Sequence, residues 1–330
     1  MMAADAGAEV LETNNDGPKI PDKKKTKFDV IIIGAGPSGY TAGIYCSRAG
    51  YDTLILSGIL PGGQLVNTTE VENYPGFENG IMGPDLMIDM RKQSQRMGTT
   101  IIDDVAVDVD FRRPPYKVLT GSEEYESKAV IIATGANPKK MGITGEEEFS
   151  GRGVSYCATC DGNFFTDQDV VVVGGGDAAI DEGLYLTGMA KTVTVVHRRD
   201  KLKASPIMQN RAFAEPKMEF RWNHVVEEIK GNGGGVEKLL LRNVKDNKVN
   251  EIYTNGVFIY IGFYPNSGLL KGLMDMDSGG HVITDIRMGT SIPGVFACGD
   301  IRQYSDRQLG TAVGDGITAA LSAYRFIKED

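Results

Sequence analysis

The chain has 330 residues, 41% of them hydrophobic, which is enough for two domains with their own cores. Its net charge is −9, from 35 basic against 44 acidic residues, and this argues against nucleic acid or an anionic membrane as main partner. No apolar run is long enough to span a bilayer, and the 42 glycines follow no repeat, so they read as tight turns and close backbone approaches to ligands.

Residues 1–27 lack aliphatic periodicity and read as a flexible tail. The Lys23-Lys24-Lys25 run reads as a solvated stretch ahead of a strand, the commoner case than a localisation signal; no apolar signal-peptide core is visible, and the segment is too acidic for a transit peptide. The expected location is cytoplasmic. Four cysteines in 330 residues fit a reducing compartment.

Residues 28–33 form a β-branched run suited to a buried parallel strand. It leads into Gly34-Ala35-Gly36-Pro37-Ser38-Gly39 and a helical stretch from Tyr40 to about Ala49. Strand, G-x-G-x-x-G and helix in this order make a dinucleotide fingerprint. The glycines permit the turn and let the backbone meet a pyrophosphate at the helix N-terminus. Cys46, inside that helix, reads as packing. A second strand over 52–56 ends in Ser57-Gly58, where a ribose-binding acid would usually follow; none does. Instead comes Pro61-Gly62-Gly63-Gln64-Leu65, which on its residues alone is either a ligand cradle or a surface turn.

A helix is expected over 81–97 and strands over 101–119, broken at Pro114-Pro115. Residues 129–135 give another buried strand ending in Ala133-Thr134-Gly135, and Asn137-Pro138 marks a crossing into a second domain.

Next comes Cys157-Ala158-Thr159-Cys160-Asp161-Gly162. Two cysteines three residues apart with an acid behind them form a redox-type pair. If Cys157 opens a helical turn, the sulfurs can close a short disulfide, and the free N–H groups of the turn favour a thiolate. Asp161 is placed to exchange a proton with a thiol. The same spacing is also half of a zinc site, but no second Cys or His pair stands at ligand spacing, so no metal is expected. Two inert buried thiols are the other plain alternative.

The pattern then restarts. A valine-rich strand over 169–173 precedes Gly174-Gly175-Gly176-Asp177-Ala178-Ala179 and a helix through Leu186, with Ala179 in the third fingerprint position. The strand over 192–196 ends in His197-Arg198-Arg199, with Lys203 four residues on. A basic pair at this distance from the glycines suits a 2′-phosphate, hence NADPH over NADH. A helix over 208–214, strands over 219–241 around the glycine-rich turn 231–235, and a strand over 256–262 complete this half; Tyr264-Pro265 is the second linker. A final strand over 294–300 ends in Gly299-Asp300, suited to a ribityl hydroxyl, with Cys298 in its body as core. Arg307-Gln308-Leu309 and a helix over 312–326 follow.

These motifs, with Cys-Ala-Thr-Cys just ahead of the second fingerprint, make the chain resemble the low-molecular-weight thioredoxin reductases (class II pyridine nucleotide-disulfide oxidoreductases) over 28–330. The resemblance implies an α/β fold of two Rossmann-like domains of the three-layer type. An NADPH domain (139–265) that carries the redox pair is inserted into a discontinuous FAD domain (28–138 and 266–330). It implies FAD held by Gly34, Gly36, Pro37, Ser38, Gly39, Ser57, Gly58, Gly62, Gly63, Gln64, Leu65, Asn73, Val105, Ala133, Thr134, Gly135, Gly299, Asp300, Arg307, Gln308 and Leu309. NADPH is assigned to Gly174, Gly175, Gly176, Asp177, Ala178, Ala179, His197, Arg198, Arg199, Lys203, Ile261 and Gly262.

By analogy Cys160 is the sulfur nearer the flavin, Cys157 attacks the substrate disulfide and Asp161 is the proton donor. The implied partner is thioredoxin or a thioredoxin- or glutaredoxin-like protein. A homodimer and a large rotation between domains are implied as well. Lys203 departs from the arginine common in the family; lysine keeps the charge and loses bidentate phosphate binding. Within enzymes the alternatives are a reductase of a peroxiredoxin system, whose N-terminal thioredoxin-like extension residues 1–27 are too short to hold, and an NADH- or other-donor-dependent relative. Outside enzymes the alternative is a nucleotide-binding sensor without thiol chemistry.

Overall fold

The computed structural model of the protein describes residues 25–68 and 70–329, so most of the expected tail lies outside the described residues. Among the described residues there are six α-helices: α1 (Pro37–Arg48), α2 (Gly83–Arg96), α3 (Ala158–Asp161), α4 (Asp177–Thr187), α5 (Pro206–Ala214) and α6 (Leu309–Glu329).

The first sheet is built around Lys27–Ile33, which pairs in parallel with Thr53–Leu56 on one side and Glu124–Ile132 on the other; Thr100–Ile102 extends it. Glu124–Ile132 is long enough to serve two further neighbours. Its first half takes Tyr116–Leu119 antiparallel, and its last residues take Val295–Ala297 in parallel, Val295 opposite Val130. The two-residue period decides what each face carries. Val30 and Ile32 pack with Tyr40 and Ala42 of α1 and with Ala319 and Ala323 of α6, whereas Ile31 and Ile33 meet Tyr116, Val118, Met274 and Val282. Both faces are covered, which is why the strand is apolar at consecutive positions.

The second sheet runs, in spatial order, Val154–Ser155, Gly256–Tyr260, Asp169–Gly174, Thr192–His197 and Met218–Trp222, all parallel. Val170 and Val172 pack with Ala179, Ile180 and Leu186 of α4. Val171 and Val173 pack with Val226, Ile229, Leu239 and Leu241, from an antiparallel sheet of His224–Asn232, Gly235–Asn243 and Val249–Tyr253. Helix, parallel sheet and antiparallel sheet thus form three layers. Ala136–Pro138 and Phe263–Pro265 run antiparallel, so the outward and return passages between the two large sheets share one ribbon.

The helix expected over 81–97 is shorter. Ile81–Met82 pairs instead with Glu70–Val71, and α2 begins at Gly83 with Pro84 in its first turn, where a missing N–H costs nothing. Cys298 falls one residue beyond its strand and is fully buried, its N–H donating to Ile132 O at 2.9 Å. No helix among the described residues is long and apolar enough to cross a membrane.

Candidate active site

Helix α1 follows Gly36, whose backbone is extended, and no side chain caps it; its first-turn amides have no side-chain acceptor. A cleft of about 380 Å³ opens at this end. It is lined by residues 34–38, Ser57, Gly58, Gly63, Gln64, Val105 and residues 133–135. The glycines here do two different jobs. A Cβ on Gly34 (φ +111°) would stand 2.3 Å from Ala133 O, and one on Gly39 would stand 2.1 Å from Gly34 O, so these close the turn on the neighbouring strand. Gly36, Gly58 and Gly135 have nothing within 4 Å of a Cβ position. They leave bare backbone along the cleft, a cradle that side chains would fill, and the fit is to a long ligand with a phosphate at the helix end.

Of the other residues expected here, Gly39, Gly62, Leu65, Asn73, Gly299, Asp300, Arg307, Gln308 and Leu309 do not line that cleft. Gly62 N–H donates to Ala35 O at 2.9 Å, and Gln64 Nε2 donates to Ala136 O at 3.2 Å. Leu65 packs partly buried against the first core rather than lining the cleft. Asn73 Nδ2 donates to Gln308 Oε1 at 3.1 Å, joining two segments far apart in the chain. Gly299 N–H donates to Asp315 Oδ2, Asp300 accepts from Ser305 Oγ at 3.2 Å, and burial pushes the Asp300 carboxyl up. Arg307 Nη2 lies 3.3 Å from His281 Nε2, and Leu309 begins α6.

Cys157 and Cys160 are joined as a disulfide with Cα atoms 5.4 Å apart. Cys157 is the N-cap of α3, and Cys160 N–H donates to its Sγ at 3.2 Å. Ser155 Oγ accepts from Cys157 N–H at 3.0 Å, and Asp161 N–H donates to Cys157 O. Thr159 Oγ1 donates to Asn67 O at 2.6 Å. The same oxygen is 3.4 Å from Cys157 Sγ, and Asn67 Oδ1 is 3.9 Å from Cys160 Sγ. Asn67 ends the short 3₁₀ helix Gly63–Asn67, whose first two residues line the cleft. The disulfide therefore rests on one end of a five-residue segment that borders the cleft with the other. Asp161 borders a separate cavity of about 320 Å³ with Arg152, Ser155 and the exposed Phe164.

Burial pushes the thiols of Cys46 and Cys298 up to about 12, so both stay protonated at neutral pH and leave thiolate chemistry to the pair. Asn67, Tyr260 and Glu182, all at the redox turn, were not singled out by sequence; no motif or period marks them.

At the second fingerprint, α4 follows Gly176 with no side-chain cap, and Gly176 has nothing within 4 Å of a Cβ position. A Cβ on Gly174 would stand 2.4 Å from Tyr260 O, and one on Gly175 would stand 2.4 Å from His197 Nδ1. His197 is thus a buried support under the turn, and burial lowers its pKa so that it stays neutral. Asp177 Oδ1 accepts from Ser205 N–H at 2.7 Å; Ala178 is exposed, and Ala179 is buried against the sheet. Lys203 N–H donates to Gly175 O at 2.6 Å, tying the basic loop to the glycine turn. Arg198, Arg199 and Lys203 are exposed, and none has an ion-pair partner among the described residues. Ile261 and Gly262 follow the end of Gly256–Tyr260.

Comparison with known proteins agrees with this arrangement. The family model for pyridine nucleotide-disulphide oxidoreductases matches residues 28–316. A thioredoxin reductase of Listeria innocua is 49% identical over 304 residues, covering 92% of this chain and 94% of its own. Among solved structures, Lactococcus lactis thioredoxin reductase in what is described as the FR conformation superposes with a TM-score of 0.90 at 46% identity, over 92% of this chain and all of that one. The T. acidophilum thioredoxin reductase gives 0.87 at 33% identity, over 91% of this chain and 99% of that one. The chain belongs to the pyridine nucleotide-disulphide oxidoreductase family.

Proposed function

We infer that the protein is a thioredoxin-disulfide reductase that takes electrons from NADPH through FAD to the Cys157–Cys160 disulfide. The observation that carries this reading is the disulfide resting on Asn67, at the end of the segment that borders the first cleft. Residues 28–138 and 266–330 are assigned to FAD and residues 139–265 to NADPH. The bare backbone at Gly36, Gly58 and Gly135 and the uncapped α1 amides support FAD. Gly176, the uncapped α4 and the exposed cations of Arg198, Arg199 and Lys203, without an ion-pair partner among the described residues, support NADPH. Bound in the first cleft, FAD supplies a two-electron carrier between nicotinamide and disulfide.

The chain's own residues account for the thiol steps. With the disulfide opened, Cys160 N–H points at Cys157 Sγ and stabilises a thiolate there. That thiolate attacks one sulfur of the oxidised thioredoxin disulfide, forming a mixed disulfide and releasing a thioredoxin thiolate, which takes the Cys160 thiol proton relayed through Asp161. Cys160, as thiolate, then attacks Cys157 Sγ, restores the intramolecular disulfide and frees the second thioredoxin thiolate. The partner is thioredoxin or a thioredoxin- or glutaredoxin-like protein, and the assigned state is a cytoplasmic homodimer.

Stopped-flow absorbance of the flavin, with NADPH and with NADH, followed by oxidised thioredoxin, tests the reading. Fast bleaching by NADPH and reoxidation by thioredoxin is the expected result. Bleaching by neither nucleotide would leave the second fingerprint without its assigned donor and overturn it.

A further inference from the structure

Helix α4 carries an acid that none of these roles uses. Glu182 is only 7% exposed, and its Oε2 has no hydrogen-bond partner among the described residues. Tyr260, the last residue of Gly256–Tyr260, stands between it and the redox turn. The Tyr260 hydroxyl accepts from Ala158 N–H at 2.8 Å and also faces the Glu182 carboxyl. Ala158 is the first residue of α3, so the turn that holds both sulfurs is anchored on a hydroxyl that stands beside one buried acid.

Burying a carboxylate with an oxygen left unpaired favours the form that carries a proton. Burial is the main cause that pushes Glu182 up to about 7, with Asp181 adding to it. The Tyr260 hydroxyl, Ala158 N–H and the Thr68 hydroxyl pull the other way. Tyr260 is raised by burial and by Glu182, so it remains a hydroxyl. The other charges around the pair are Asp181 on α4, which burial also raises, Asp161 on the redox turn, and Glu72 and Arg211, which face Asp181.

We propose that Glu182 is a positioning residue for the dithiol: through Tyr260 it holds the first amide of the redox helix, and when it ionises its charge opposes thiolate formation on that helix. This rests on Cys157 and Cys160 acting as a working dithiol. While Glu182 is neutral, it adds no charge against the thiolate that the amides of the turn stabilise. Once it is charged, a like charge behind the same turn works against them.

The test is iodoacetamide alkylation of the reduced flavoprotein from pH 5.5 to 9, with the rate at Cys157 read by mass spectrometry. Cys46 and Cys298 are buried and do not compete. In Glu182→Gln the alkylation midpoint of Cys157 is expected to fall by about one pH unit, a tenfold change in its ionisation constant, with wild type and variant coinciding below about pH 6. Superimposable profiles overturn the proposal. Tyr260→Phe keeps the test alive if Glu182→Gln does not fold. Losing the hydroxyl that pulls Glu182 down should move the wild-type inflection to higher pH, and an unmoved inflection is the contrary result. The assay uses neither nucleotide nor thioredoxin, so failure of the reductase reading would show separately, as absent turnover in a protein whose Glu182→Gln profile still shifts.

Discussion

Thr159 Oγ1 donates to the carbonyl of Asn67 at 2.6 Å across a sequence separation of 92 residues. That bond ties the redox turn to the segment bordering the first cleft, and it fixes the sulfurs as much as it stabilises the fold. Thr159→Val keeps the β-branched shape and removes the donor, at a cost of about 1 kcal/mol. Disulfide reduction, followed as flavin reoxidation in single turnover, should slow about fivefold while the KM for NADPH stays the same. An unchanged rate would show that the contact does not orient the pair.

Arg211 Nη1 and Glu72 Oε2 also meet, at 3.0 Å, but their side chains are 44% and 54% exposed. Exposed pairs contribute about 0 to 1 kcal/mol. Arg211→Ala should therefore move the thermal midpoint by no more than about 3 °C. A larger drop would mean that this pair, and not the redox turn, holds the two sheets' surroundings together.

Two fingerprint glycines should fail differently. Gly34→Ala puts a methyl 2.3 Å from Ala133 O at φ +111°, so the protein loses on the order of 2–4 kcal/mol of stability. Gly36→Ala meets no protein atom within 4 Å. It should fold with a near-native urea midpoint yet purify with little flavin. A yellow, fully loaded Gly36→Ala protein would refute the assignment of this turn to the cofactor.

Much of this was legible in the sequence because the central parallel strands of both large sheets are covered on both faces. Val30 to Ile33 and Val170 to Val173 had to be apolar at every position, and each run ends in glycines that the turn geometry requires. The cysteine pair was legible by its spacing. What escaped were residues whose roles come from tertiary packing alone. Glu182 sits among Asp181 and Gly183 on α4 and reads as a solvated acid until α3 and Tyr260 cover it. Asn67 ends a 3₁₀ helix with no periodic signal. The start of α2 lies two residues later than the pattern suggests, although Pro84 marks it, because the apolar Ile81 and Met82 continue the helical pattern into what is a strand.

At the second fingerprint, Arg198 and Arg199 have no ion-pair partner among the described residues, so their removal should cost binding and little stability. Arg198→Ala or Arg199→Ala should raise the KM for NADPH about tenfold or more and leave that for NADH within about twofold, the loss of one charge-assisted phosphate contact. Lys203→Arg should strengthen the NADPH preference, since a guanidinium offers two parallel donors to a phosphate where an ammonium offers a point charge. Equal effects on both nucleotides would mean that these cations bind something other than the 2′-phosphate.

Glu182 also gives stability a pH dependence of definite sign. Its ordinary value is 4.5, and burial in the fold pushes it up to about 7. Between these values the unfolded chain has lost the proton that the folded protein keeps. Folding is therefore favoured fully below about 4.5, and the advantage is lost as the pH rises through about 7. The size of the raise corresponds to about 3 kcal/mol, most of it lost between pH 5 and pH 8. Glu182→Gln carries no titrating proton and should lack this part of the slope. Urea midpoints of wild type and variant at pH 5 and pH 8 isolate it, because every other titrating group is shared and cancels in the double difference. The variant should gain on wild type at the higher pH. Parallel shifts in the two proteins would mean that Glu182 is already ionised at pH 5, and its charge would then be a constant neighbour of the dithiol at every working pH.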